Sequence, residues 1–227
     1  TLCLPQDFSD ENREFATICL KREVKLVARA YSIVSTADRD ELEFLSIHVP
    51  DGPLTSQLAQ IRPGDSVWVN SKATGSLTLN HVLPGRVLYL LATGTGLAPF
   101  ISLIRDPETY ARFEQVVLVH SVRSVVELAY RADIEAMGNS QLAYVPTVTR
   151  EAFATSERGA DLFRSGALSQ GLGLPHPDPE HDRVMICGNP EMTREMTTYL
   201  KDSGWTLTNH RGVGNFSTEL AFVVHHQ

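Results

Sequence analysis

A chain of 227 residues, 42% hydrophobic and 21% charged, has the composition of a soluble globular protein with one large or two small domains. Its formal net charge of −7 argues against wrapping a nucleic-acid backbone, and no apolar run approaches the length of a membrane span. The three cysteines, Cys3, Cys19 and Cys187, are far apart and give neither a disulfide framework nor a metal spacing, so no metal is expected.

In chain order, the first part reads as β structure. ATICL, KLVARAYSI and ELEFLSIHV are rich in β-branched and aromatic residues, and Leu42, Phe44, Ile47 and Val49 partly alternate. PDGP and RPGD are turn signals, with a short helix expected in LTSQLAQI between them. SVWVN and SLTL read as further strands, which predicts a small antiparallel barrel or sandwich up to about Leu83. LPG, Leu83 to Gly85, marks a boundary between 1–84 and 85–227.

Beyond it the pattern changes. RVLYLLAT, QVVLVHS, LAYVPTV and RVMICG are compact apolar runs of the kind buried on both faces. LAPFISLI, VELAYRADIEAM, the segment around ADLFRSG, and PEMTREMTTYLKDSG are helix candidates between or after them, and GLGLPHPDPEHD is a surface loop. Strands alternating with helices predict a parallel sheet with right-handed crossovers. The fold class is therefore an antiparallel β unit followed by an α/β unit. The opening, TLCLPQDFSDENR, has no basic segment followed by an apolar stretch, so the expected setting is cytoplasmic, without a signal peptide.

The densest chemical signal is LLATGTGLAPF, from Leu90 to Phe100. In open parallel sheets ligands bind outside the carboxyl ends of strands. Thr93, Gly94, Thr95 and Gly96 sit at such an end, where bare backbone lets a phosphate approach and the following helix points free N–H groups at it. Pro99 fits a first helical turn. It also stands where G-x-G-x-x-G requires its third glycine, and no Gly-Lys-Ser/Thr follows, so neither common phosphate-binding fingerprint is present. Alone, the stretch reads equally as a tight strand-to-helix turn that needs no ligand.

A second glycine turn, Cys187-Gly188, ends another buried strand ahead of a helix, so two bare strand ends can face one crevice. Cys187 by itself reads as core packing; its place beside glycine at a strand end gives it a functional reading. Arg123, Arg150 and Arg158 follow successive strands on the same edge. Guanidinium groups suit phosphates because they donate in a planar fork. Any one of them reads as a solvated surface residue; three at successive strand ends point to an anion.

Together these pieces resemble the bacterial ferredoxin–NADP⁺ reductases, over nearly the whole chain. RAYS (Arg29 to Ser32), FLSIHVPDGPLTSQL from Phe44, IRPGD from Ile61, LATGTGLAPF from Leu91, PTVTRE from Pro146, MICGNPEM from Met185 and LAFV near the end appear in order. The resemblance implies an FAD-binding β barrel over 1–84 and an NADP-binding α/β domain over 85–227, whose C-terminal tail lies over the flavin. It implies that the RAYS segment (Arg29, Ala30, Tyr31, Ser32) meets FAD, with Arg29 on the pyrophosphate, Tyr31 on the ring and Ser32 near the reactive nitrogen. Ser46, Ile47, His48, Val49, Leu54, Thr55, Ser56, Ala221 and Phe222 would complete that site.

By the same resemblance Thr93, Gly94, Thr95 and Gly96 approach the NADP pyrophosphate, and Arg123, Arg150 and Arg158 surround the 2′-phosphate. Cys187 and Gly188 lie beside the nicotinamide, which makes Cys187, Ser32 and Tyr31 the expected catalytic residues. A monomer exchanging electrons with ferredoxin or flavodoxin is implied. The family's first strand would precede Thr1, and Arg13 and Cys19 stand where it commonly has glycines. Two rivals remain at this stage: an NADH-linked reductase feeding an oxygenase or cytochrome, and a flavin- or nucleotide-binding regulatory module without turnover.

Overall fold

The structure is a computed structural model that describes residues 2–3, 15–22, 25–209 and 212–221. Its N-terminal part is antiparallel. Strand β1 (Leu2–Cys3) precedes β2 (Phe15–Arg22) and β3 (Lys25–Ser32), which pair along their full lengths from Phe15 opposite Ser32 to Arg22 opposite Lys25. Strand β4 (Glu41–Leu42) pairs with β1. Helix α1 (Thr55–Leu58) and strand β5 (Trp68–Val69) follow, with β5 on the free side of β2. Cys19 stands in β2 opposite Ala28 and Trp68; Arg13 lies outside the described residues.

Three expected strands fall short of what their composition suggests, SVWVN keeping only Trp68–Val69. ELEFLSIHV keeps only Glu41–Leu42 as a strand, plus an isolated bridge from Phe44 to Ile33. SLTL is not a strand: Leu79–His81 forms a 3₁₀ turn, and the Thr78 hydroxyl lies 2.9 Å from His81 Nδ1. His81 N–H donates to the Thr78 carbonyl at 3.0 Å, which takes both backbone groups out of strand pairing.

The rest of the chain is a five-stranded parallel sheet. Its elements are β6 (Gly85–Thr93), α2 (Ala98–Arg105), α3 (Pro107–Arg112), β7 (Phe113–Val122), α4 (Arg131–Ala136), β8 (Leu142–Val148), α5 (Gly159–Ser165), α6 (Ala167–Gly171), β9 (Arg183–Gly188), α7 (Pro190–Asp202) and β10 (Phe216–Leu220). The strand order is β10-β9-β6-β7-β8. The chain runs outward from β6 through β7 to β8, then returns to the other side of β6 for β9 and β10. The order therefore reverses between β6 and β9, where open α/β sheets place their ligands.

Alternation along β6 explains its unbroken apolar run. Leu88, Leu90 and Ala92 join one core cluster with Leu97, Phe100 and Ile104, while Val87, Tyr89 and Leu91 join the other with Phe163, Met196 and Trp205. The first cluster also takes in Val34 and Leu45 from the N-terminal part.

A polar clasp reinforces that junction. Arg105 Nη1 on α2 donates to Glu43 Oε2 at 2.7 Å, the Tyr130 hydroxyl donates to Glu43 Oε1 at 2.7 Å, and Ser102 Oγ donates to the Ser35 carbonyl at 3.2 Å. Burial pushes the Glu43 pKa up, but the Arg105 and Tyr130 hydrogen bonds outweigh it, so the carboxyl stays below its ordinary value.

Candidate functional site

The two glycine turns meet at the switch point. After β6, residues Gly94–Leu97 form a 3₁₀ turn that runs straight into α2; Gly94 is left-handed at φ 54°, which suits a residue without Cβ. No side chain caps the first turn of α2; Ala98 N–H donates to the Thr95 carbonyl inside the preceding turn, and Pro99 has no N–H to satisfy. A Cβ on Gly96 would overlap the Cys187 carbonyl oxygen, and one on Gly188 would overlap the Thr93 hydroxyl. Much of the need for glycine here is therefore the contact of one turn with the other.

Thr93 ties the turns further, because its hydroxyl accepts from Asn189 N at 2.8 Å and Nδ2 at 3.2 Å. Asn189 then caps α7, accepting from Met192 N at 2.9 Å. Ala221 N donates to the Gly188 carbonyl at 2.9 Å, which brings the end of β10 to the same place. Phe222 lies outside the described residues. The Cys187 side chain is buried at 1% exposure, in the cluster that includes Ala92, Leu97 and Ala98.

The expected arginines also converge. Arg150 N donates to the Arg123 carbonyl at 2.9 Å across the ends of β7 and β8. Arg158 is the N-cap residue of α5, and the following Gly159 N donates to Ser121 Oγ at 3.0 Å. That hydroxyl also accepts from Thr147 Oγ1 at 2.8 Å, so α5 is pinned to the ends of β7 and β8.

All three arginines are exposed, and no side chain among the described residues pairs with their guanidiniums. The nearby acids are otherwise engaged. Glu127 Oε2 accepts from Arg123 N at 2.8 Å, and Glu151 Oε2 accepts from Val125 N at 3.1 Å. Three cations without carboxylate partners on one edge of the sheet suit a multiply charged anion.

In the antiparallel part, Arg29 and Ala30 are exposed on β3, with Arg29 Nη1 donating to the Ala28 carbonyl at 2.8 Å. Tyr31 and Ser32 are half-buried, and the Tyr31 ring stands edge-on to Phe44 with centroids 6.4 Å apart. Ser46, Ile47, His48 and Val49 are exposed, Ile47 at 51% and Val49 at 45%. Leu54 is buried at the head of α1. The Thr55 hydroxyl bonds the Val49 carbonyl at 3.2 Å, and Ser56 Oγ donates to Gly52 O at 2.6 Å. No hydrogen bond or ion pair joins Arg29–Ser32 to Gly94–Gly96 among the described residues; what links their surroundings is the core cluster that holds Val34, Ala92 and Leu97.

Two site residues went unread in the sequence. Glu219 on β10 stands opposite Cys187 in the parallel register, so both side chains share a face. His120 at the end of β7 is fully buried, with Nε2 3.1 Å from the Gly94 carbonyl oxygen. Glu219 lies in a short edge strand, FSTEL, with little apolar content, and a single histidine inside QVVLVHS carries no pattern of its own.

Residues 90–198 match the oxidoreductase NAD-binding domain family. The ferredoxin–NADP reductase of Azotobacter vinelandii is 47% identical over 224 residues, covering 94% of this chain and 87% of that protein. Its Pseudomonas aeruginosa counterpart is 47% identical over 221 residues, covering 92% and 86%. The solved structure of a ferredoxin NADP⁺ reductase from Neisseria gonorrhoeae with bound FAD and NADP superposes with a TM-score of 0.90 at 31% identity, covering 97% of this chain and 90% of that one.

Proposed function

The chain belongs to the ferredoxin–NADP reductase family, and from that premise we propose a residue-by-residue account of how it handles FAD and NADP(H). It is an FAD-dependent oxidoreductase. What bound FAD supplies is the exchange of a hydride with the nicotinamide for single electrons traded with a carrier. The carrier is ferredoxin or flavodoxin, and the protein works as a monomer in the cytoplasm.

The residues present fit the flavin. Arg29 offers an exposed cation for a diphosphate; Tyr31 and the exposed Ile47 and Val49 offer aromatic and apolar surface for a flat ring. Ser32 places a hydroxyl on the same strand, and Ala30, Ser46, His48, Leu54, Thr55 and Ser56 frame the pocket, with Ala221 closing it. On this account 1–84 forms the flavin-binding barrel and 85–227 the nucleotide domain. The role of the chain in the chemistry is to orient the nicotinamide and exclude water, with Cys187 and Gly188 at the reacting end. Thr93 through Gly96 receive the pyrophosphate.

The observation that carries the reading is the set of exposed arginines at 123, 150 and 158, whose guanidiniums pair with no side chain among the described residues. A 2′-phosphate carries roughly one and a half to two negative charges near neutral pH, where NAD has a hydroxyl. One charge-assisted hydrogen bond of about 1.5–3 kcal/mol favours NADPH by about ten- to a hundredfold. The contact is remote from the reacting atoms and is made equally before and during reaction, so its loss raises KM and spares kcat.

Arg150→Ala and Arg158→Ala are thus expected to raise the KM for NADPH by about that factor, to leave NADH nearly unchanged, and to weaken the effect of added salt. Steady-state kinetics with both nucleotides checks this. Equal losses for NADPH and NADH, or a wild-type preference for NADH, would overturn the assignment.

A further inference from the structure

His120 lies near the end of β7, on the face of the sheet that carries Val116, Leu118 and Ala92. Burying an imidazole in such surroundings forfeits its hydration, and hydrogen bonds must recover it. Nε2 lies 3.1 Å from the Gly94 carbonyl oxygen, and Nδ1 lies 3.5 Å from the Tyr144 hydroxyl. A carbonyl can only accept, so Nε2 carries the proton and Nδ1 is left to accept. The bond is made to the residue at φ 54° that opens the Gly94–Leu97 turn, whose following helix has no side-chain cap.

We propose that His120 is a positioning residue for the nucleotide: its Nε2–H holds the Gly94 carbonyl and so fixes the turn in the form that receives the pyrophosphate. This rests on the assignment of that turn given above. Burial depresses the imidazole pKa to about 4, so the ring is neutral near pH 7 and shapes the turn without adding charge. Discrimination between NADPH and NADH then falls to the arginines. Because the pyrophosphate is common to both nucleotides, losing His120 weakens both alike, which separates its role from that of Arg150 and Arg158.

The test uses the FAD-loaded protein and NADP⁺ itself. His120→Leu removes the donor; His120→Gln offers an amide N–H at nearly the same place without titrating. Calorimetric titration should show NADP⁺ binding about tenfold weaker in His120→Leu and within about threefold of wild type in His120→Gln. FAD content should stay normal, the KM for NADPH and NADH should rise together, and kcat should stay within about twofold.

Wild-type affinity in His120→Leu, or a Gln variant as weak as Leu, overturns the proposal. Where the Leu variant does not fold, nitrogen NMR of labelled histidine in the unaltered protein decides. A neutral Nε2–H form whose signals move when NADP⁺ is added supports the proposal; the Nδ1–H form, or an imidazolium at pH 7, overturns it. Failure of the wild type itself to bind NADP⁺ removes the nucleotide assignment as well, whereas a binding wild type with an equally binding Leu variant removes only the role of His120.

Discussion

Replacing Asp182 with Ala is expected to lower stability by about 3–5 kcal/mol while leaving the chemistry of the folded protein intact. Asp182 is fully buried at the end of the parallel sheet remote from the glycine turns. Its carboxylate accepts from Arg86 Nε at 3.0 Å and Nη2 at 2.7 Å, and from the backbone N–H groups of Val87 at 3.2 Å and Asp178 at 3.0 Å. Truncation strands two backbone donors and takes from Arg86 its main partner, leaving it Asp178 at 3.2 Å. For a chain of this size the loss corresponds to a fall in Tm of roughly 6–20 °C. Thermal unfolding measures it, and kcat/KM taken well below the transition should match wild type. A shift of only a degree or two would show that water reaches the site and satisfies what the carboxylate leaves behind.

Acid should destabilise the wild type more than His120→Gln. The wild-type imidazole is held neutral chiefly by desolvation, opposed by its bond to Gly94 and by the charge of Glu127, and its pKa falls from 6.5 to about 4. Tyr144 is the other titratable group beside it. Between those two values the unfolded chain binds the proton and the folded chain does not, so stability present above about pH 6.5 is lost as the pH falls toward 4. For this residue the loss from pH 7 to pH 4.5 is about 2–3 kcal/mol. Glutamine cannot titrate, and the remaining carboxylates are common to both proteins, so the difference between them isolates the histidine. Urea unfolding at pH 7 and 4.5 measures it. Parallel losses in the two proteins would mean that His120 is hydrated enough to protonate in the fold.

The two glycine turns of the candidate site were legible because backbone geometry leaves a mark in sequence. Gly94, Gly96 and Gly188 had to be glycine at two strand ends, and uninterrupted apolar runs named the strands that β6, β7 and β9 became. What the glycines accommodate was only half visible: Gly96 and Gly188 meet the opposing turn, a contact between residues about ninety positions apart that no local pattern encodes. His120 was hidden for a related reason, since its partner is a backbone carbonyl 26 residues earlier.

Local cues failed elsewhere in identifiable ways. Ile47 and Val49 alternate like strand residues but stand exposed, so their apolar character marks surface suited to a ligand and not a half-buried strand. Residues 216–220 form β10 only because the edge of β9 is there to pair with, and FSTEL has too little apolar content to announce it. The arginines were readable as a set because Arg123 and Arg150 follow successive strands and Arg158 lies further along the same loop, where it is the N-cap residue of α5 and not a strand end; that no carboxylate among the described residues pairs with them required the positions of Glu127 and Glu151.

The most direct measurement is anaerobic stopped-flow mixing of the FAD-loaded protein with NADPH or NADH, following the visible flavin absorbance. The account predicts that NADPH bleaches the flavin and saturates at a concentration about ten- to a hundredfold below that required for NADH, in line with charge-assisted contacts to the 2′-phosphate. A protein that cannot retain FAD, a flavin that NADPH leaves oxidised, or equal saturation by the two nucleotides would contradict it.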